Sequence, residues 1–204
     1  MKSQVQKIIV LGGGTAGWLS AGIIAAQHRS ADGMGLNITL IESPEVKILG
    51  VGEGTWPTMR DTLRKMGISE NEFIRECDVS FKQGTQFQAW VNGNEEDIYY
   101  HPFGLPQGYF ETSPAAFWSA ERPSHTFAHT VSAQPTLCEQ RRAPKQKDTP
   151  EFAAVVNYGY HLDAVKFANF LRKHCTEKLG VHHIVDHVTK IHTHENGDIA
   201  SLST

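Results

Sequence analysis

The chain has 204 residues, of which 40% are hydrophobic and 20% charged. That is enough apolar material for a buried core and too little charge for a disordered chain. Nineteen Lys and Arg against 22 Asp and Glu leave a formal net charge of −3, which argues against nucleic acid as the partner. The three cysteines, Cys77, Cys138 and Cys175, are odd in number and widely spaced. Neither a disulfide framework nor a zinc-ligand spacing follows from them, so a cytoplasmic setting is expected.

From Ile8 to Ala26 the chain carries no charge, a length close to that of a membrane span. Glycines at 12, 13, 14, 17 and 22 break the run into a strand-like Ile8–Leu11 and a helix-like Trp18–Ala26. A soluble strand–turn–helix is therefore expected, and no membrane contact. The pattern predicts a buried parallel strand over 7–11, a helix over 15–28 and a second strand over 37–42, a right-handed βαβ unit. A short helix after Pro57 should stop at Gly67, and Ser69 with Glu72 has capping-box spacing for another through Glu76. Phe87, Ala89 and Val91 alternate as in a strand, followed by Ile98–Tyr100. Residues 101–150, punctuated by prolines, read as an irregular loop-rich stretch of the kind that carries binding surfaces. A helix over 162–179 should bury Val165, Ala168, Leu171, Cys175 and Leu179. Strands over 181–185, 187–193 and from Ile199 follow, the last two joined at Asn196-Gly197 as a hairpin.

Gly12-x-Gly14-x-x-Gly17 falls between a strand and a helix, the context of a dinucleotide fingerprint. Gly12 allows the tight turn, Gly14 lets backbone approach a pyrophosphate, and Gly17 lets the helix pack closely. The helix N-terminus, at Thr15 and Ala16, offers N–H groups to phosphates. Glu42, closing the second strand, is placed to accept from ribose hydroxyls. This motif does not separate FAD from NAD. Six of the 11 histidines lie between His174 and His194, but no Cys or carboxylate completes a familiar ligand spacing, so no metal site is expected.

Gly12-Gly13-Gly14-Thr15-Ala16-Gly17-Trp18 resembles the start of the flavin-dependent tryptophan halogenases. Gly50-Val51-Gly52-Glu53-Gly54-Thr55 resembles their flavin strap, Ser80-Phe81-Lys82 their catalytic-lysine segment, and Tyr99–Gly104 the stretch lining their indole pocket. Tyr158-Gly159-Tyr160-His161-Leu162-Asp163-Ala164 resembles a helix start of the same family. The resemblance implies an α/β, FAD-binding Rossmann-type fold like that of glutathione reductase and flavin monooxygenases. That fold would be incomplete here, with an inserted loop-rich substrate-side region and a C-terminal β-hairpin. It divides the chain into 1–60 (dinucleotide-binding βαβ and strap), 61–157 (substrate-side insertion) and 158–204 (helix and hairpin).

What the resemblance implies for chemistry is specific. Lys82 is the catalytic residue; Gly12, Gly14, Thr15, Ala16, Gly17, Glu42, Val51, Gly52 and Glu53 bind FAD; His101 and Phe103 flank an aromatic, indole-type substrate. FADH2 comes from a separate flavin reductase, a halide ion is co-substrate, and a homodimer is allowed. Trp56-Pro57 stands where the family carries Ile-Pro, which hints at a substrate other than tryptophan. The Trp-x-Trp-x-Ile-Pro hallmark and catalytic glutamate do not occur in these 204 residues, so the chain reads as an N-terminal portion, expected to retain flavin weakly by itself. A flavin-dependent aromatic hydroxylase and an inactive dinucleotide-binding fragment are the alternatives.

Overall fold

The computed structural model describes residues 5–28, 30–46, 52–106, 108–121 and 126–204. In chain order these give β1 (Lys7–Leu11), α1 (Thr15–Gln27), β2 (Asn37–Glu42), β3 (Gly52–Gly54), α2 (Met59–Lys65), α3 (Glu70–Glu76), β4 (Ser80–Lys82), β5 (Gly84–Gln88) and β6 (Ile98–Pro102). After them come α4 (Pro114–Glu121), α5 (Phe127–Val131), α6 (Gln134–Glu139), β7 (Gly159–Asp163), α7 (Ala164–Lys178), β8 (His182–Val185), β9 (Lys190–Thr193) and β10 (Ile199–Ser203). The chain divides into two compact units, one of Met1–Glu53, Thr62–Asp78 and Leu162–Thr204, the other of Gly54–Asp61 and Val79–His161. Among the described residues no helix is long and apolar enough to cross a membrane.

In the first unit β1, β2 and β8 form a parallel sheet in the order β1-β2-β8. Its core face meets α1, on which Trp18, Ala21 and Ala25 are buried, as are Ile38 and Leu40 of β2. The other face of β1 is open: Ile9 and Leu11 are exposed, so β1 is not the strand buried on both faces that its apolar run predicts. Helix α7 packs on α1 where Gly22 leaves room. A Cβ there would fall 2.8 Å from Cys175 Sγ and 2.3 Å from Met66 Cε.

Helix α7 starts two residues later than the periodicity suggests, because Leu162 and Asp163 end β7 and Asp163 caps the helix, accepting from Lys166 N–H at 2.9 Å. Its buried face is Ala164, Phe167, Ala168, Leu171, His174 and Cys175. Val165 is 40% exposed instead. Phe167 and Leu171, fully buried, each contribute about 1.5–3 kcal/mol by leaving water. His174 Nε2 donates to Met66 O at 2.8 Å, which satisfies a ring that this face removes from solvent. Strands β9 and β10 pair antiparallel with a register shift between Ile199 and Ser201. Gly197 takes the positive φ of 88° that the connecting turn needs. Strand β9 begins at Lys190, later than the predicted 187.

In the second unit β4 pairs antiparallel with β7, and β5 with β6. The alternation extrapolated through Ala89 and Val91 fails. Strand β5 ends at Gln88, Ala89 adopts φ 53°, and Val91 is exposed in the turn to β6. Phe87 stacks instead on its cross-strand partner Tyr99 with ring centroids 4.9 Å apart. The stretch predicted as irregular contains α4, α5 and α6, helices of five to eight residues too short to show a period.

Candidate active site

In the first unit the glycine turn shapes a cavity. Gly12 has φ 112° and its N–H bonds Ile41 O at 2.9 Å, carrying the β1–β2 ladder into the turn. Gly17 brings α1 onto that turn: a Cβ at Gly17 would sit 1.9 Å from Gly12 O. Gly14 begins α1 with no side-chain cap, and the first turn holds no acidic residue. Its free N–H groups and dipole therefore suit an anion. The carboxylate of Glu42 lies over Gly13, with Oε2 where a Cβ of that residue would be. His183 Nε2 stands 2.7 Å from Glu42 Oε1, off the line of a hydrogen bond, and sets its ring edge-on to the buried Trp18 at 5.1 Å. A cavity of about 610 Å³ is lined by Gly12, Gly14, Thr15, Ala16, Glu42 and Glu53, joined by Ser43, Asp186 and His187. Gly17 and Gly52 do not line it, and Val51 lies outside the described residues.

The second unit gathers the remaining expected residues around Lys82. Strand register places Phe81 opposite Tyr160 and Lys82 opposite Gly159. Phe81 turns inward onto Tyr158 (centroids 5.1 Å apart), so the half-buried Lys82 takes the other face. Its Nζ stands 5.7 Å from the Trp56 ring centroid and 5.6 Å from that of Phe103, and those rings are 5.6 Å apart. Such cation–ring contacts favour an ammonium held against aromatic faces. Lys82, His101 and His161 line one cavity of about 360 Å³. His161 is exposed as a residue; partial desolvation of its ring first, and the Lys82 charge second, hold the imidazole below its usual pKa of 6.5.

The loop bearing Phe103 is fixed by buried polar groups. Gln134, 2% exposed, accepts from Gly104 N–H at 2.7 Å and donates to Asn157 O at 2.5 Å. Asn157 donates to Phe103 O at 3.1 Å and accepts from Arg60, whose guanidinium lies over Tyr158 at 4.4 Å. Each donor and acceptor that this network satisfies would cost roughly 1–3 kcal/mol if orphaned, so Phe103 is held rather than free to swing.

A family model described as "Tryptophan halogenase" matches residues 7–204. The chain belongs to that family. It is 34% identical to tryptophan 7-halogenase RebH of Lentzea aerocolonigenes, over 100% of this chain and 40% of that protein. It is 30% identical to tryptophan 6-halogenase ThaL of Streptomyces albogriseolus, with the same two coverages. Among solved structures, a tryptophan halogenase from Shewanella frigidimarina superposes with TM-score 0.90 at 48% identity, over 99% of this chain and 40% of that one. Xcc4156, a flavin-dependent halogenase from Xanthomonas campestris, gives TM-score 0.82 at 30% identity, over 98% of this chain and 39% of that one. The chain thus spans about two fifths of the length of these relatives.

For this member of the tryptophan halogenase family, sequence reasoning missed Trp56 as a ring beside Lys82, Gln134 and Asn157 as the fasteners of the Phe103 loop, and His183 behind Glu42. The adjacency of Trp56 to Pro57 was the one available signal. Gln134 and Asn157 carried none, since amides in a proline-rich stretch read as loop.

Proposed function

We propose that the protein to which this chain belongs is a flavin-dependent halogenase that delivers hypohalous acid, through Lys82, to an aromatic substrate of the indole type. The observation that carries this reading is Lys82 against the paired rings of Trp56 and Phe103, on the wall of a cavity. Gly12, Gly14, Thr15, Ala16, Glu42 and Glu53 would hold FAD. The uncapped N-terminus of α1 offers donors for a pyrophosphate, and Glu42 an acceptor for ribose hydroxyls. Reduced flavin, supplied by a separate reductase, provides with O2 and halide the hypohalous acid.

Lys82 then does the positioning. Its head group hydrogen-bonds the hypohalous acid or, as the free amine, takes the halogen with loss of water, and presents it at one ring carbon. The aromatic carbon gains the halogen and loses a proton. Phe103, whose ring stands beside Lys82, and His101, on the cavity wall, would bound the ring. In the full protein, Lys82→Ala is expected to abolish halogenated product, by at least about 100-fold, while FADH2 oxidation continues. Unchanged product yield from that variant would overturn the lysine assignment.

A further inference from the structure

The residue that shares the lysine's space is a histidine for which the proposed chemistry has no role. In the β4–β7 pair Ser80 faces His161 and Lys82 faces Gly159. Lys82 and His161 are therefore diagonal neighbours on one face of the sheet, within reach of long side chains. Gly159, opposite Lys82, puts no side chain between them. The third element is Gly54: a Cβ there would lie 3.0 Å from Lys82 Nζ and 3.5 Å from His161 Nδ1. Both nitrogens thus converge on the volume that a missing side chain leaves.

We propose that His161 is a positioning residue for Lys82, its uncharged imidazole fixing where the lysine head group stands in the space left by Gly54. This rests on the reading of Lys82 given above. A neutral ring offers one lone pair to an ammonium or a bridging water. A protonated ring would instead set a second cation against the same space. The depressed His161 pKa, caused by partial desolvation and then by Lys82, keeps the ring neutral at neutral pH.

The other titratable groups on this cavity are Tyr100 and His101 from β6, and Cys138 and Glu139 from α6. Burial first, and then Glu139, raises both Tyr100 and Cys138, so both stay uncharged below neutral pH. Glu139 lies 3.1 Å from His129 Nε2. His161 is then the group whose charge the test follows, and His101, the other imidazole on this cavity, is its control.

The test uses the full protein with its lysines reductively methylated with ¹³C, the Lys82 resonance being assigned by its loss in Lys82→Arg. In the wild type this resonance should show an inflection on the acid side of neutrality that disappears in His161→Gln and persists in His101→Gln. Halogenated product per FADH2 oxidised should fall roughly 10- to 100-fold in His161→Leu, the order expected for losing one hydrogen bond to a charged group. It should recover to within about twofold in His161→Gln, which restores an acceptor. Gly54→Ala, which inserts a methyl between the two nitrogens, should reproduce the His161→Leu loss without unfolding, since its contacts are the movable end of a lysine and a ring edge. An unchanged resonance titration in His161→Gln, or wild-type yield per FADH2 in both His161→Leu and Gly54→Ala, overturns the proposal. Lys82→Ala run alongside separates the two failures. Full product from that variant sinks the lysine reading itself, whereas lost product there with an unaltered His161→Leu sinks only the pairing.

Discussion

A methyl group added at Gly17 would stand 1.9 Å from the carbonyl oxygen of Gly12, whereas one added at Gly14 meets nothing within 4 Å. The two glycines of one motif therefore act on different links of the chain from sequence to function. Gly17→Ala must push α1 off the strand turn, because backbone cannot step aside. It is expected to cost about 2–3 kcal/mol, and to lower the thermal midpoint by roughly 4–12 °C. Gly14 already has φ −73°, which alanine adopts freely. Gly14→Ala should leave the midpoint within about 2 °C of wild type and weaken FAD binding at least roughly tenfold, because its methyl occupies the approach of a pyrophosphate. Calorimetry and flavin fluorescence titration on the same two variants check both halves. Equal losses of stability and affinity in the two would show that the glycines are not separable in this way.

At the scale of an element, α7 shows what the Asp in Tyr-His-x-Asp-Ala does. Asp163 accepts from Lys166 N–H at 2.9 Å at the N-terminus of the helix, and Lys166 reaches across to Asp78. Asp163→Ala is expected to cost about 1 kcal/mol, and Asp163→Asn or Asp163→Ser to restore most of it. Urea denaturation of the three variants measures this. The same helix shows how far the elements were legible. Its length and its Ala168–Leu171–Cys175 face follow from helical spacing, but its start does not, because Leu162 is as compatible with a helix as with the end of β7. The βαβ unit and the β9–β10 hairpin are written locally, in Gly12–Gly17 and Asn196-Gly197. In contrast α4–α6 are too short to carry a period. The meeting of Trp56, Phe103, Lys82 and His161 depends on strand registers joining distant segments, which no local pattern encodes. Lys82 and Phe103 were singled out through a resemblance to a family; that Trp56 and His161 stand beside the lysine is visible only in three dimensions.

At the scale of the whole molecule the three thiols sit in two different situations. Cys77 and Cys175 are fully buried, and their pKa values are pushed up to about 12. For Cys77 burial leads and the Glu76, Asp163 and Asp78 charges add to it; for Cys175 burial is the cause. Cys138 is exposed, and burial of its thiol with the Glu139 charge raises its pKa as well. A maleimide added to the native protein at pH 7.5 should therefore modify Cys138 among these three. The other two should react only through opening of the structure, because the thiolate is the nucleophile and neither access nor ionisation is available while they are packed. Both buried thiols lie in the unit that contains the Gly12–Gly17 turn and Glu42. A ligand bound there lowers the population of open forms by the factor 1 + [L]/Kd, about tenfold at ten times Kd. FAD should slow labelling of Cys77 and Cys175 by that order and leave Cys138 unchanged, because Cys138 needs no opening to react. Mass spectrometry of the three cysteine peptides over time, with and without FAD, reads all three rates in one experiment. Slowing confined to Cys138 would place FAD beside Lys82 and away from the glycine turn. Equal slowing of Cys77 and Cys175 ties the glycine turn, Glu42 and the packing of α1 on α7 to one binding event.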